Sequence, residues 1–350
     1  MNDLGNVLSA SGKRSETEQL DRQVLEIRRR RLGDTHPETL KSMSNLAVDM
    51  VDDGRFREAV LDAQRRVVGP ENPSTVMSMA NLGDTLSREG KYRDAEVLQR
   101  TALATRQRIL GHDHPDTLTS LTQLGATLYE QARYPEAEAF DRDALNGRRR
   151  VLGPEHRETL NAMVALANPL EAQGRLAEAE QLIREALRLQ LKVLGPEHPD
   201  VLLVMNNLAG VLAEEGHMAE AEKLNREVLA VRTRLLGPAH SYTLHSADRL
   251  AMVLAMNGAF AEAERIARHT HELQVKVTGP DHPETADTKY TLACIAAHTG
   301  RHDEALSLLR EALDHGLRPN AAFGMAADPV LKPLHDNPAF QSLATYARAR

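Results

Sequence analysis

Six of the fifteen histidines stand at one place in six short loops: His36, His114, His156, His198, His240 and His282. Imidazole is the commonest metal ligand and the side chain that titrates nearest neutrality, so metal binding or proton transfer is the first chemistry to weigh. A zinc site needs ligands that converge to roughly 2.0–2.3 Å from one ion, whereas loops recurring along a chain are held apart by whatever folds between them. These histidines therefore read as packing and hydrogen-bonding residues that open the next helix. His269 and His271 are two apart on a helix and point apart, and no other spacing resembles a zinc signature.

Other reactive groups are equally isolated. Cys294 is the sole cysteine, so no internal disulfide exists, and it reads as a small apolar core residue. No phosphate-cradling glycine loop, nucleophile elbow or paired-carboxylate motif is present. The arginine clusters Arg28 to Arg31, Arg65 with Arg66, and Arg148 to Arg150 fall at expected helix C-termini, where a cation opposes the negative helix end. A net charge of −7 gives no attraction to nucleic acid or anionic lipid. The chain is expected not to be an enzyme and to need no cofactor or metal.

What positions these residues is a repeat. A Gly-Pro-acid-His-Pro loop recurs as LGDTHPETL (32–40), VGPENPSTV (68–76), LGHDHPDTL (110–118), LGPEHRETL (152–160), LGPEHPDVL (194–202), LGPAHSYTL (236–244) and TGPDHPETA (278–286). A second string, Gly-x-aromatic-x-Glu-Ala, alternates with it, as in GKYRDAE (90–96), GRLAEAE (174–180) and GAFAEAE (258–264). Glycine to glycine the period is 42 residues, apart from one 36-residue step between Gly33 and Gly69. A fixed period in this range implies stacked structural units.

Residues 195–237 show what one unit does. From Pro199 to about Glu215, Leu202, Met205, Leu208, Ala209 and Leu212 fall three and four apart on one helical face. Gly216 ends this helix A. In helix B, Met218, Ala221, Leu224, Val228, Leu229, Leu235 and Leu236 form a second stripe, which Gly237 terminates. The alanine at position 221 recurs as Ala59, Ala95, Ala137, Ala179, Ala263 and Ala305, as a close helix crossing demands. One hairpin cannot bury both stripes, so it must stack.

This pattern resembles the tetratricopeptide repeat, in the 42-residue variety of kinesin light chains and many bacterial repeat proteins. The aromatic of that family early in helix A is absent here. The resemblance implies an all-α, right-handed α-α superhelix of about eight hairpins, with A helices lining a concave wall that binds peptide segments. It covers residues 1–315, and 316–350 resemble a C-terminal capping segment that keeps Leu331, Leu334, Phe340 and Leu343 to cover the last apolar face.

Three departures carry expectations. Residues 56–69 lack six positions relative to 92–111, so helix B there should be short. Pro169 falls inside a helix A and should bend it. MNDLGNVL at the start aligns with MNNLAGVL (205–212), which places Met1 in the middle of a helix A. A truncated first hairpin, more N-terminal sequence in the parent protein, and self-association through exposed apolar surface follow as expectations.

With the core claiming one face of helix A, the remaining positions should line a groove. These include Asn45, Asn81, Gln123, Asn161, Asn206, Asn207, Asp248, Arg249, Met252 and Tyr290. Amides can donate to and accept from an extended peptide backbone. Cations are few, essentially Lys41, Arg88 and Arg249, against many carboxylates, so a neutral or basic ligand is expected. The leading expectation is a non-catalytic protein-protein interaction scaffold holding a partner peptide, with no nucleic-acid or membrane partner and a cytoplasmic location. The alternative is the sensor or assembly region of a larger signalling enzyme, a kinase or nucleotide-dependent switch, whose catalytic part precedes Met1.

Overall fold

The computed structural model describes residues 14–33, 36–49 and 54–349, without the side chains of 14–20, 37, 44, 45, 47–49, 54–60, 319, 320, 323, 348 and 349. The expectations about Met1 and the first hairpin, and the Asn45 and Ala59 side chains, lie outside the described residues. The fold is all-α, an α-α solenoid of paired helices. In chain order these are α1 (Arg14–Leu32), α2 (Pro37–Asp49), α3 (Gly54–Val67), α4 (Pro73–Arg88), α5 (Tyr92–Leu110), α6 (Pro115–Glu130), α7 (Tyr134–Leu152), α8 (Arg157–Ala172) and α9 (Leu176–Leu194). They continue as α10 (Pro199–Glu214), α11 (Met218–Leu236), α12 (Ser241–Met256), α13 (Phe260–Val277), α14 (Pro283–His298), α15 (His302–Asp314), α16 (Pro319–Gly324) and α17 (Pro338–Ala349). A 3-10 turn, Pro329–Leu334, precedes α17.

Packing divides the chain into two units, 1–128 with 139–151, and 129–138 with 152–350. In the first, Leu61, Val76, Met79, Leu82 and Leu86 form one buried cluster with Ala95 and Ala102. In the second, successive clusters join α10 to α11 and α12 to α13 and α14. The alanines at the hairpin crossing, Ala95, Ala137, Ala179, Ala221, Ala263 and Ala305, are completely buried.

The loop histidines cap helices. Nδ1 accepts the backbone N–H two residues on, from Glu38, Asp116, Glu158, Asp200, Tyr242 and Glu284, at 3.2–3.3 Å. Asn72 substitutes for histidine in the second loop and accepts Ser74 N at 3.0 Å. An unpartnered amide in the first helical turn is thereby satisfied. A second bond closes the same loops from inside: the hydroxyls of Thr75, Thr117, Thr159 and Thr285 donate to the carbonyls of Gly69, Gly111, Gly153 and Gly279 at 2.7–2.9 Å. These threonines recur in the sequence at a fixed place, and only the fold shows their task.

The basic ends of the B helices do more than face a helix dipole. Arg150, Lys192 and Arg234 each pair with the loop acid 37 residues earlier, Asp113, Glu155 and Glu197, at 2.5, 3.3 and 2.5 Å. Arg106 and Arg232 turn inward instead. They donate to the Asp116 and Tyr242 carbonyls at 3.1 and 3.0 Å and to the Ser120 and Ser246 hydroxyls.

The short B helix is observed: α3 has 14 residues where α5, α7, α9 and α11 have 19. Pro169 leaves α8 continuous to Ala172. Its place near the end of the helix removes one donor only, and the Gln173 side chain bonds to the Pro169 carbonyl at 2.9 Å. After α15, Met325, Leu331, Leu334, Phe340 and Leu343 pack on Tyr290, Ala293, Leu309 and Leu313. Among the described residues no helix is long and apolar enough to cross a membrane.

Candidate functional site

The sequence-predicted groove residues fall into three situations. Asn81 in the first unit and Asn161 in the second are exposed, while Gln123 and Asn207 are half-buried. Asn206 is different: it is 1% exposed, and its amide donates to Ser246 Oγ at 3.2 Å, tying α10 to α12. It is a helix-to-helix contact, and a peptide cannot reach it. Tyr290 is 8% exposed, with its hydroxyl donating to Asp328 of the C-terminal segment.

In the second unit, side chains from the end of α6, from α8, α10, α12 and α14, and from the C-terminal segment share one charged environment. Burial raises the Glu130 carboxyl above its ordinary range, opposed by the nearby Arg318 and reinforced by Asp287. Glu171 is pushed up to about 7 by burial and then by Glu214, while Arg249 opposes the shift. Glu214 and Asp287 are raised as well, again chiefly by desolvation. Asp248, 9% exposed, is pushed up to about 7 by burial, with Asp287 adding to it. His245 goes the other way, down to about 3, because burial and three arginines disfavour its cation. It is a neutral group at ordinary pH.

Two guanidinium groups face these five carboxylates. Arg249 lies over Gly210 of α10, with Glu171 Oε1 3.6 Å from the place a β-carbon at Gly210 would take. Arg318 pairs with Asp287 at 3.6 Å. Arg318 is absent from the sequence-derived groove because it sits outside the repeat, where periodicity gives no guide. Arg88, read as a groove cation, is held by Asp84 at 2.7 Å in the first unit.

A cavity of about 200 Å³ opens between α12, α13, α14 and the start of α16. Asp248, Gln274, Glu284 and Asp287 bring acceptors to it, and Met252, Tyr290 and Leu317 bring apolar surface. Four of the residues singled out from sequence, Asp248, Arg249, Met252 and Tyr290, meet there. Gln274, from a B helix, was not recognisable as a lining residue because its helical face reads as core. Cys294 is fully buried, and burial pushes its thiol up. Among the described residues no group of three metal-binding side chains converges.

Comparison with known families gives a tetratricopeptide repeat profile matching residues 75–150, 122–190, 158–234, 200–274 and 242–315, and a second tetratricopeptide repeat profile matching 1–38. Among solved structures, a putative kinesin light chain with nearly identical TPR-like repeats from Podosopora anserina is 26% identical, covering 59% of this chain and 97% of its own, with a TM-score of 0.51. BtubC (BKLC) from P. vanneervenii is 22% identical over 66% of this chain and 93% of its own, at 0.53. A Rap protein complexed with Competence and Sporulation Factor is 10% identical, covers 99% of this chain and 94% of its own, and reaches 0.69. A comparison with curated proteins gives no match.

Proposed function

Because the chain belongs to the tetratricopeptide repeat family, we propose that it is a protein-interaction module whose second unit holds a neutral or basic peptide segment of a partner along the face formed by α8, α10, α12 and α14. The observation that carries this reading is the charge arrangement on that face. Burial disfavours Glu130, Glu171, Glu214, Asp248 and Asp287 as anions, and the arginines that oppose this are Arg249 and Arg318. Desolvated carboxylates short of partners gain most from an incoming cation or hydrogen-bond donor. The exposed and half-buried amides Asn161 and Asn207 flank them and are suited to an extended backbone. The Rap protein of the same fold is solved with a bound factor, which fits the use of such a fold as a receptor. Residues 1–315 serve as the repeat array and 316–350 as its cap.

The test is a peptide array scored for basic, neutral and acidic segments with the unaltered chain and with Asn161→Ala plus Asn207→Ala. Selection of basic or neutral segments, weakened by the paired substitution at unchanged stability, is expected. Preference for acidic segments, or indifference to the substitutions, would overturn it.

A further inference from the structure

Where a B helix ends, its last cation reaches back to an acid in the loop that opens the same hairpin. In the first unit Arg108 pairs with Glu71 and Arg150 with Asp113; in the second, Lys192 pairs with Glu155 and Arg234 with Glu197. The acid stands 37 residues before the cation in each pair. On α13 the equivalent cation is Lys276, and 37 residues before it stands Ala239. Lys276 is exposed, and among the described residues it makes no ion pair; Glu272, one turn back, does not reach it.

The same loop departs a second time. The second residue of helix A is acidic on either side of it, Asp200 in α10 and Glu284 in α14, but in α12 it is Tyr242, which is 58% exposed. The Arg232 guanidinium and the His240 ring each lie 5.5 Å from the centre of the Tyr242 ring, so the aromatic is braced by its own surroundings. Ala239 and Tyr242 are three residues apart, at most about 11 Å of chain, within the reach of one short segment.

Exposed aliphatic side chains adjoin both changes. Leu235 and Leu236 end α11 just before the loop, and Val275 and Val277 flank Lys276 on α13. Scattered exposed apolar residues are ordinary; collected about an aromatic ring and a cation without a counter-charge, they make the kind of patch that marks a protein contact. The end of α9 gives the internal comparison, since Leu191 and Val193 are exposed there too but Lys192 already has Glu155. A basic segment laid on the α13 end would add like charge to Lys276, and a wholly apolar one would desolvate it without compensation.

We propose that the loop 237–242, with the ends of α11 and α13, is a second docking surface, for a partner-protein segment that presents a glutamate or aspartate between apolar side chains. The partner's carboxylate pairs with Lys276, as Glu197 does with Arg234, and its apolar side chains cover Leu235, Val275 and Val277. This surface goes beyond the groove reading and does not depend on it.

The probes are capped peptides of one leucine spacing that differ in carrying glutamate, glutamine or lysine between the leucines. They are added to the full chain with its leucine and valine methyl groups labelled for NMR. The glutamate peptide should bind about threefold or more tightly than the glutamine peptide, weaken as salt is raised, and move the methyl signals of Leu235, Val275 and Val277. Ala239→Glu, at an exposed position, restores the internal pair and should abolish the glutamate preference, as should Lys276→Gln. Lys192→Gln should leave that preference unchanged, and so should Asn161→Ala plus Asn207→Ala, which separates this surface from the groove. Equal binding of the glutamate and glutamine peptides, or a glutamate preference that survives Ala239→Glu, would overturn the surface. A concentration-dependent dimer in sedimentation that Ala239→Glu dissolves would also overturn it, by giving the place to a second copy of the chain.

Discussion

The Arg249 guanidinium occupies the space that a β-carbon on Gly210 would fill. A glycine inside α10 is worth about 1 kcal/mol less helix stability than alanine, and what it permits is the passage of a cation from α12 to the carboxylate on α8. In Gly210→Ala the far end of Arg249 can swing aside, so global stability should change by less than about 1 kcal/mol. Glu171 should then titrate at a higher pH, read by carboxyl NMR, since it loses the charge that opposes its burial. An unmoved Glu171 would show that Arg249 does not reach it.

Gly125 of α6 stands in the same relation to Asp141 of α7, but with a stiffer neighbour. A β-carbon there would meet Asp141 Oδ1 at 2.5 Å and Cγ at 2.9 Å, on a carboxylate that is itself buried. Gly125→Ala should destabilise by about 1–3 kcal/mol in urea denaturation, helix propensity notwithstanding. A stabilised variant would refute the close contact.

The buried carboxyls set a pH dependence opposite to the usual one. Asp141 and Asp248 are pushed up to about 7 by burial, against about 3.9 in an unfolded chain. Between those values the folded state holds more protons than the unfolded one, so each group makes stability fall as pH rises, and neither adds a slope above both. Asp141→Asn should remove at most about 1.4 kcal/mol of slope per pH unit in that window. Urea denaturation of both proteins at pH 5, 6 and 7 provides the check, and parallel curves would count against it.

The loop caps can be tested one at a time. His198→Ala removes the acceptor for Asp200 N and should cost about 1 kcal/mol, whereas His198→Asn should recover most of that, as Asn72 does in its own loop. Equal losses in the two variants would show that ring packing, not the cap bond, is what matters.

Two arginines two residues apart should behave very differently. Arg232 is 4% exposed and bonded to Tyr242 O and Ser246 Oγ, so Arg232→Ala should cost about 3 kcal/mol or more by removing two charge-assisted hydrogen bonds and a buried side chain. Arg234 forms an exposed pair with Glu197, and Arg234→Ala should change stability by less than about 1 kcal/mol. Thermal denaturation of both variants distinguishes them.

The repeat, the hairpin, the alanine crossing and the short α3 were legible because each is a local pattern repeated many times over. What periodicity could not give is which neighbour takes a given side chain. Asn206 and Asn207 are adjacent and look equivalent as amides, yet a rotation of about 100° between consecutive helical positions puts the first against Ser246 and leaves the second half-open. The run Arg148 to Arg150 reads as one class, but Arg148 is buried while Arg150 pairs with Asp113 at the surface. Arg318 was invisible for a different reason: it lies beyond the last repeat, and only the packing of α16 near α12 and α14 brings it to the cavity.

The threonine latch and the histidine cap both bond within one loop, Thr159 to Gly153 and His156 to Glu158, for example. In the loops after Gly111, Gly153 and Gly279 both bonds are internal to the loop, and only the ion pairs to the neighbouring B helix come from outside it. A gene that gained or lost a 42-residue segment between two such glycines would join loops that keep these internal bonds, so the number of copies, and with it the length of surface on offer, can drift.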